Sequence, residues 1–297
     1  MEFWKTILLS ASIEAIAAIG LFLQVRSGQF NVGMAVFVGV GGYLSGLLSI
    51  AFQLSPSITI PIGMLGGFGI GTLFAAVTLR LHHWFFAVTT LTLSLAAVSL
   101  VGVVPVLGGS LGLNDIPLVS SAFPILLSLL CAFGLAFWID RSAIGLAVRA
   151  TGDDEVLAQI FGVPVKRLRV VVFGLGSSLA ALAGALQAHR FGCFQPSDMG
   201  AHPSLLLLIY VIVGGKKSVW GPVVGTFFLY SVPELIKVPA EAQLMILGGL
   251  MLVTALIMQD GVVGLITHCF DKLRSRFALL RHRRLRRLQR HTGVNPE

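Results

Sequence analysis

The chain has 297 residues, of which 56% are hydrophobic and 11% are charged, and its mean hydropathy is +0.90. A soluble domain carries about 25% charged residues, so this composition excludes a soluble protein and predicts an integral membrane protein. The apolar stretches are roughly 18–23 residues long, which suits helices that cross a hydrocarbon layer of ~30 Å and not the shorter strands of a barrel. We therefore expect an all-α, polytopic transmembrane helical bundle of about eight to nine membrane segments.

The formal net charge of +8 has one source near the C-terminus. Residues 272–290 contain nine Lys or Arg residues and no acid, which leaves 12 basic against 13 acidic residues elsewhere. Basic residues interleaved with Leu and Phe are typical of a helix end that rests on anionic lipid headgroups. Nucleic acid is the weaker alternative, because no folded nucleic-acid-binding module accompanies the run. We divide the chain into a transmembrane domain, residues 1–270, and a basic tail, residues 271–297.

The first predicted membrane segment, Thr6–Leu23, contains a carboxylate. Glu14 is the only acidic residue deep inside any apolar segment of the sequence. A charge at that depth is costly unless it faces protein or water, so Glu14 either lines a solute pathway or makes a structural contact between helices. The next two segments, Phe30–Gln53 and Ile58–Leu79, are rich in glycine, which predicts helices whose backbones approach closely.

Segment four covers residues 79–107, and its start is marked as a membrane boundary by Arg80, His82 and Trp84. Adjacent histidines do not share one helix face, so the pair His82 and His83 predicts no metal site. The segments numbered seven and eight are short, which indicates tilted, broken or re-entrant helices. Segments five to nine are predicted at Phe123–Ile139, Val170–Ala188, Ser204–Val213, Val223–Val232 and Leu244–Met258.

The longest polar interruption before the tail, residues 141–163, predicts a short helix outside the bilayer. Three acidic residues at 153–155 stand where carboxylates accept the unpaired N–H groups of a first helical turn. Gly162 and Pro164 then supply a stop. The helix is either a surface helix against the lipid headgroups or a docking element for a partner protein. The side chains on its apolar face are Val156, Leu157, Ile160 and Phe161.

The positive charges also predict the orientation of the chain. If the helices alternate, 18 Lys or Arg residues share the side of residues 141–169 and of the tail, and three lie on the other side. Because cytoplasmic loops hold the excess of Lys and Arg, we expect this stretch and the C-terminus on the cytoplasmic side of the membrane.

The motif content excludes several kinds of membrane enzyme. The sequence contains no HExxH and no paired intramembrane acids, and its three cysteines lack metal-ligand or CxxC spacing. We therefore predict no catalytic residues, no metal and no cofactor bound by this chain. An ion-driven carrier usually needs several intramembrane titratable groups, whereas Glu14 stands nearly alone, so the energy source is expected on another subunit.

Five motifs in order resemble one family. RSAIGLAVRATGDDEVLAQIFGVPVKRLR is similar to the cytoplasmic signature of permease subunits of branched-chain amino acid ABC importers. Four further family motifs are similar to SGQFNVGMAVFVGVGGY, LRLHHWFFAVTTL, GGSLGLNDIP and GGKKSVWGPVVG. Of these, LRLHHWFFAVTTL and GGSLGLNDIP are typical of one of two related permease subunits. The signature positions that match are Gly145, Ala147, Arg149, Ala150, Asp154, Glu155, Ala158 and Gly162.

The resemblance implies a mechanism and partners. A helix at residues 151–162 would couple the bundle to ABC ATPase subunits that carry ATP and Mg²⁺, since this chain has no GxxxxGK[ST] motif. A second homologous permease subunit and an extracytoplasmic substrate-binding protein would complete the importer. The alternative is an ion-gradient-driven secondary transporter that acts without an ATPase. The expected coupling residues are Arg149, Asp153, Asp154, Glu155, Val156, Leu157, Ala158, Ile160, Phe161 and Gly162.

Candidates for the translocation path come from segment one and from the motifs at residues 27–43 and 79–91. These candidates are Glu14, Asn31, Gly41, Gly42, Tyr43, Thr89 and Thr90. The sequence departs from the family pattern at Asn31, Lys217, Thr151 and Gly152, which bears on the substrate and the partner ATPase more than on the fold. The family also includes carriers of urea and short amides, so the resemblance implies a small polar solute, with branched-chain amino acids first.

Overall fold

The computed structural model describes residues 2–78, 83–119 and 121–236, together with residues 245, 248 and 249. Within these ranges the chain is all-helical, without β-strands apart from one isolated bridge between Leu113 and Phe194. Short 3-10 helices occur in two connections, at residues 105–111 and Pro196–Met199. The α-helices are α1 (Glu2–Arg26), α2 (Ala35–Phe52), α3 (Pro56–Thr78), α4 (His83–Val103), α5 (Phe123–Arg141), α6 (Ala143–Asp153), α7 (Glu155–Ile160), α8 (Val165–Phe191), α9 (Ala201–Gly214) and α10 (Trp220–Ile236).

Six of these helices, α1 to α5 and α8, are long and apolar enough to cross a membrane. They correspond to predicted segments one to six. Segments seven and eight are the shorter helices α9 and α10, of 14 and 17 residues. Most of segment nine lies outside the described residues, as do the basic tail and the proposed boundary residues Arg80 and His82. The count of eight to nine segments therefore stays a prediction.

Helix α8 is the centre of the bundle and packs against α1, α2 and α3. Its middle, GLGSSLAALAGALQA, consists largely of small side chains, and nearly all of them are buried. Small residues let helix backbones approach closely in a membrane, where apolar burial alone does not favour helix association. A Cβ on Gly184 would overlap the carbonyl of Val38 in α2, and one on Gly176 would overlap that of Gly20 in α1. The glycines predicted to allow close packing therefore do so at these crossings.

The connection between α1 and α2 is not helical, although it lies in the protein interior. Segment two was predicted to begin at residue 30, but α2 begins at Ala35. The physical reason is Asn31, whose side-chain oxygen accepts the Gly33 amide at 2.9 Å and whose amide donates to Gln24 Oε1 at 2.8 Å. These local hydrogen bonds compete with a helical turn, and they satisfy polar groups that no water reaches.

Helices α2 and α9 begin side by side in the interior. The Ser204 hydroxyl oxygen in the first turn of α9 accepts the backbone N–H of Ala35 at 3.1 Å. Ser94 of α4 donates to the Met199 carbonyl at 2.7 Å, just before α9. The chain thus approaches the start of each helix through an irregular segment held by buried hydroxyl groups, as membrane proteins require where a helix is interrupted. This arrangement fixes residues 192–200 against the bundle.

At the opposite end of the bundle from α7, a buried histidine joins three helices to a loop. His189 near the end of α8 donates from Nδ1 to the Pro117 carbonyl at 2.9 Å, so its Nε2 accepts hydrogen bonds. The hydroxyl groups around Nε2 belong to Ser45 of α2, at 2.9 Å, and Thr59 of α3, at 3.2 Å. Together with the bridge between Leu113 and Phe194, these contacts hold loop 112–119 over the bundle.

The glycine contacts predict a difference between two matched substitutions. Gly41→Ala should destabilise the protein by about 1–3 kcal/mol, because its Cβ would overlap the Ala181 carbonyl of α8. Gly69→Ala in α3 should be neutral or stabilising by about 0.5–1 kcal/mol, because no atom lies within 4 Å of that Cβ. Thermal unfolding of both variants in detergent, followed by circular dichroism, measures this. Equal midpoints would show that α2 and α8 do not depend on close contact at Gly41.

Candidate functional site

The polar interruption predicted to dock a partner folds as two short helices. Ser142 caps α6 by accepting the Gly145 N–H, and α6 continues to Asp153. The backbone then becomes extended at Asp154, with φ −151° and ψ 108°, and α7 begins. The predicted single helix over residues 151–162 is therefore divided at Asp154, and residues 151–153 belong to α6.

Local sequence signals explain both ends of α7. The Asp154 carboxylate accepts the Leu157 N–H at 3.0 Å, which confirms the predicted acidic cap. Gly162 lies in the left-handed region at φ +80°, where its N–H bonds to the Gln159 carbonyl, and it ends the helix as predicted. Capping of this kind allows a helix of six residues to form at a defined place.

One face of this segment has large apolar side chains that make little contact with the other described residues. The exposed fractions are 68% for Val156, 51% for Leu157, 74% for Ile160 and 78% for Phe161. Ala158 is buried, with 2% exposed, so the helix rests on the bundle through its small side chain. Four neighbouring apolar side chains on a polar loop form a patch of the kind that marks an interaction surface.

The polar residues of α7 fasten it to α8. Glu155 Oε2 lies 2.6 Å from Nη1 of Arg169, which is buried near the start of α8. The same guanidinium donates to the carbonyls of Ser27, at 3.3 Å, and Thr151, at 3.5 Å. One buried arginine therefore joins α7, the end of α6, α8 and the turn after α1.

A second ion pair fastens α6 to α5. Arg149 Nη1 lies 2.9 Å from Asp140 Oδ1 and also donates to the Asp140 carbonyl at 2.6 Å. Gly152 packs so closely that a Cβ would overlap the Arg26 carbonyl at the end of α1. The departure from the family pattern at Gly152 thus coincides with a tight contact between α6 and α1.

These contacts divide the predicted coupling residues into two groups. The exposed group is the apolar patch, with Asp153 and Asp154 beside it. Arg149 and Glu155 were expected to contact a partner ATPase. In this structure the charged group of Arg149 binds Asp140, and that of Glu155 binds Arg169, both within the bundle. Ala158 likewise faces the bundle.

Most of the translocation candidates lie in packing contacts. Gly41 contacts the α8 backbone, and Gly42 contacts the ring of Phe194. Thr90 accepts the Val32 N–H at 3.1 Å and is buried, as is Asn31. Thr89 bonds within its own helix, to the Phe85 carbonyl. The structure does not bring these residues together at one place.

A further acidic residue, Asp198, lies in the 3-10 helix Pro196–Met199, which packs against α2 and α4, and the sequence did not suggest it as a site residue. Burial raises the pKa of the Asp198 carboxyl, although the hydrogen bond from the Gln195 amide opposes this. The Tyr43 hydroxyl is buried and has no hydrogen-bond partner in the described part of the chain.

Two important residues were missed for different reasons. In the sequence, Arg169 was only one of several cations of the loop. In the structure it shares a helix face with the buried residues Val165, Val172 and Phe173. The 3.6-residue period of these apolar residues is a signal that could have revealed its burial. Asp198 carries no comparable signal, because it follows a Pro in an irregular connection whose position depends on the packing of α2, α4 and α9.

Comparison with known proteins gives a consistent result. A family model described as "Branched-chain amino acid transport system / permease component" matches residues 4–255. No solved structure matches the chain. The high-affinity branched-chain amino acid transport system permease protein LivM of Escherichia coli K12 is 25% identical over 287 residues, covering 84% of this chain and 68% of that protein.

Relatives with a different named cargo also match. The autoinducer 2 import system permease protein LsrC of Escherichia coli K12 (DH10B) is 28% identical over 255 residues, with 78% of this chain and 71% of that protein covered. LsrC of Yersinia pestis (Pestoides F) is 28% identical over 262 residues, with coverages of 81% and 72%. All three proteins are named as transport permeases, and none as an enzyme.

The Glu155–Arg169 contact predicts a local effect on α7. Glu155→Ala should lower the free energy of local opening of α7 by about 1 kcal/mol, because it removes the ion pair with Arg169. The expected loss is small because 34% of the Glu155 side chain is exposed and solvent screens the pair. Backbone amides of residues 157–160 should then exchange with solvent roughly fivefold faster in hydrogen-exchange mass spectrometry. Asp153→Ala is the control, since Asp153 forms no ion pair within the described ranges. The same exchange rate in both variants would contradict the anchoring role.

Proposed function

Because the chain belongs to the family of permease components of branched-chain amino acid transport systems, we propose that it is the membrane subunit of an ABC importer whose ATPase subunits are separate chains. Its relatives are transport permease subunits rather than enzymes, and its six long apolar helices are those of a multi-pass protein of the inner membrane. The observation that carries the proposal is the capped helix α7. Its apolar patch, at residues 156, 157, 160 and 161, is left uncovered by the described part of the chain.

The apolar patch is suited to a groove on an ATPase. Large side chains that fill a pocket at the centre of an interface supply most of its binding energy. The patch stands on a rigid base, because Asp154 caps the helix and Arg169 holds Glu155. A docking element that transmits force needs an apolar face that is free to bind a partner and an opposite, polar face that is fastened to the bundle.

Transmission from α7 into the bundle follows from the hydrogen bonds of Arg169. When ATP closes the ATPase subunits, the movement of α7 reaches α8 through the Arg169 side chain and reaches the turn after α1 through the Ser27 carbonyl. That turn leads to the irregular segment 27–34 and to the paired starts of α2 and α9. Elements interrupted within a membrane are common places for alternating access to occur.

The remaining partners and the orientation complete the proposal. The α7 side and the C-terminus face the cytoplasm, in agreement with the excess of positive charge there. A second homologous permease subunit pairs with this chain as a heterodimer, a substrate-binding protein delivers solute on the opposite face, and the basic tail contacts anionic lipid. ATP and Mg²⁺ bind the partner subunits, and this chain contributes no cofactor. The cargo is a branched-chain amino acid or a related small polar solute.

Removing part of the apolar patch should uncouple the importer. We expect Leu157→Ala with Ile160→Ala to reduce co-purification of the ATPase at least about tenfold, since each truncated anchor costs more than about 1 kcal/mol. Quantitative immunoblotting after affinity purification of this chain from membranes measures the loss. Leu73→Ala on α3 is the matched control, because it also removes an exposed leucine side chain, 68% accessible, but on a membrane helix. Undiminished ATPase recovery from the double variant would refute the docking role of α7.

The energy source can be tested separately on the reconstituted complex. Uptake of leucine into vesicles that contain the full importer should require ATP on the side of α7 and should persist after proton and sodium gradients are collapsed with ionophores. Gradient-driven uptake by the isolated chain would instead support the secondary transporter.

A further inference from the structure

Basic side chains from several elements gather where α1 and α5 end, on the α7 side of the bundle. Arg26 is the last residue of α1, and Arg141 is the last residue of α5. The Arg26 guanidinium donates to the Lys216 carbonyl, in the turn before α10, at 3.2 Å. Its Nε lies 4.0 Å from Oδ1 of Asp140, which also pairs with Arg149 of α6. Arg26 therefore joins the end of α5 to the turn before α10.

This cluster holds more positive charge than its carboxylate neutralises. Asp140 Oδ1 lies 2.9 Å from Arg149 Nη1 but 4.0 Å from Arg26 Nε, so the carboxylate pairs mainly with Arg149. Arg26 Nε is buried without a hydrogen-bond partner in the described part of the chain. Arg141 and Lys216 are exposed, and neither forms an ion pair within the described ranges. Three positive charges, on Arg26, Arg141 and Lys216, thus remain without a close carboxylate.

The acidic residues that follow Asp140 in the chain do not remove this surplus. The Asp154 carboxylate caps α7, and Glu155 pairs with Arg169 on another side of the bundle. Asp153 forms no ion pair with a described residue. The three cations can therefore bind an anion that comes from outside the chain.

A row of aromatic side chains runs along α5 from this cluster. Arg141 Cζ lies 4.3 Å from the centroid of the Phe137 ring, and Phe137 stacks on Phe133 with centroids 6.0 Å apart. Trp220, the first residue of α10, packs on Phe133 at 4.7 Å. Its side chain is 54% exposed, and that of Trp138 on α5 is 63% exposed. Exposed Trp rings close to cations are typical of the boundary between membrane and water.

We propose that the joined ends of α1, α5 and α10 bind an anionic phospholipid of the membrane leaflet on the α7 side. Guanidinium groups bind phosphate oxygens through paired N–H donors, and basic pockets between membrane helices bind acidic lipid headgroups. The aromatic row lies where the acyl chains of such a lipid continue into the bilayer. A free phosphate ion would use the cations alone, and a zwitterionic lipid would bring its own ammonium group close to them. The site is separate from the basic tail.

Native mass spectrometry of the full chain in an uncharged detergent measures this binding. Phosphatidylglycerol should bind at least about tenfold more tightly than phosphatidylcholine with the same acyl chains, because its headgroup keeps a net negative charge. Arg141→Gln with Lys216→Gln should remove most of this preference and leave the binding of phosphatidylcholine unchanged. Both side chains are exposed, and the Lys216 carbonyl that accepts from Arg26 is retained.

The matched control is Lys166→Gln with Arg167→Gln, which removes two exposed positive charges at the start of α8. Equal weakening of phosphatidylglycerol binding in the two double variants would show general charge attraction and refute the site. Equal affinity of the wild type for the two lipids would refute it as well. Full displacement of the lipid by the same concentration of inorganic phosphate would identify a free-anion site and overturn the lipid assignment.

Fluorescence quenching locates the acyl chains of the bound lipid. Phosphatidylglycerol with brominated acyl chains, added as a minor component to phosphatidylcholine vesicles that contain the full chain, should quench Trp220. Trp220→Phe should therefore remove more of the quenched fluorescence than Trp84→Phe, which changes a side chain of α4 that is 82% exposed. An equal loss in both variants would contradict the placement beside Phe133. Neither measurement requires the ATPase or a transported solute, so the lipid site and the transport function can fail independently.

Discussion

The close contact of α8 with α1, α2 and α3 is the constraint on which the rest of the structure depends. Lipid offers no hydrophobic advantage for bringing apolar helices together, so association relies on packing and on internal hydrogen bonds. Glycine, alanine and serine at these crossings bring the backbones into contact. A well-packed central helix can then hold irregular segments beside it, since their polar groups find partners in protein instead of lipid.

The two ends of α8 carry the polar contacts that tie the peripheral elements to this centre. Near one end, Arg169 joins α7 to the turn after α1. At the other end, His189 joins α2 and α3 to loop 112–119 through neutral hydrogen bonds. Between them lie the paired starts of α2 and α9. One continuous helix therefore connects the proposed motor-facing surface to the face proposed to receive the solute, with the interrupted elements along its length.

A few buried polar groups differ from the other polar contacts of the bundle because they have no partner among the described residues. Asn31, Gln24, Ser204 and His189 have partners for their side-chain groups, as stability in a membrane requires. The Tyr43 hydroxyl and the side-chain amide of Gln29 are buried and lack a partner among the described residues. Where a protein violates the rule that buried polar groups are paired, a functional reason is the expected one.

Local features of this protein were determined by the sequence alone, and contacts between distant residues were decided by the tertiary structure. The six long helices, the Asp154 cap, the Gly162 stop and the membership of a permease family all follow from apolar length, capping chemistry or motif order, which act within a few residues. The late start of α2, the inward ion pairs of Glu155 and Arg149, and the packing of the 3-10 helix Pro196–Met199 against α2 did not follow. These partners lie on different elements, and hydrophobic periodicity states which face of a helix is buried but not which helix covers it. Only the packing around α8 makes that choice.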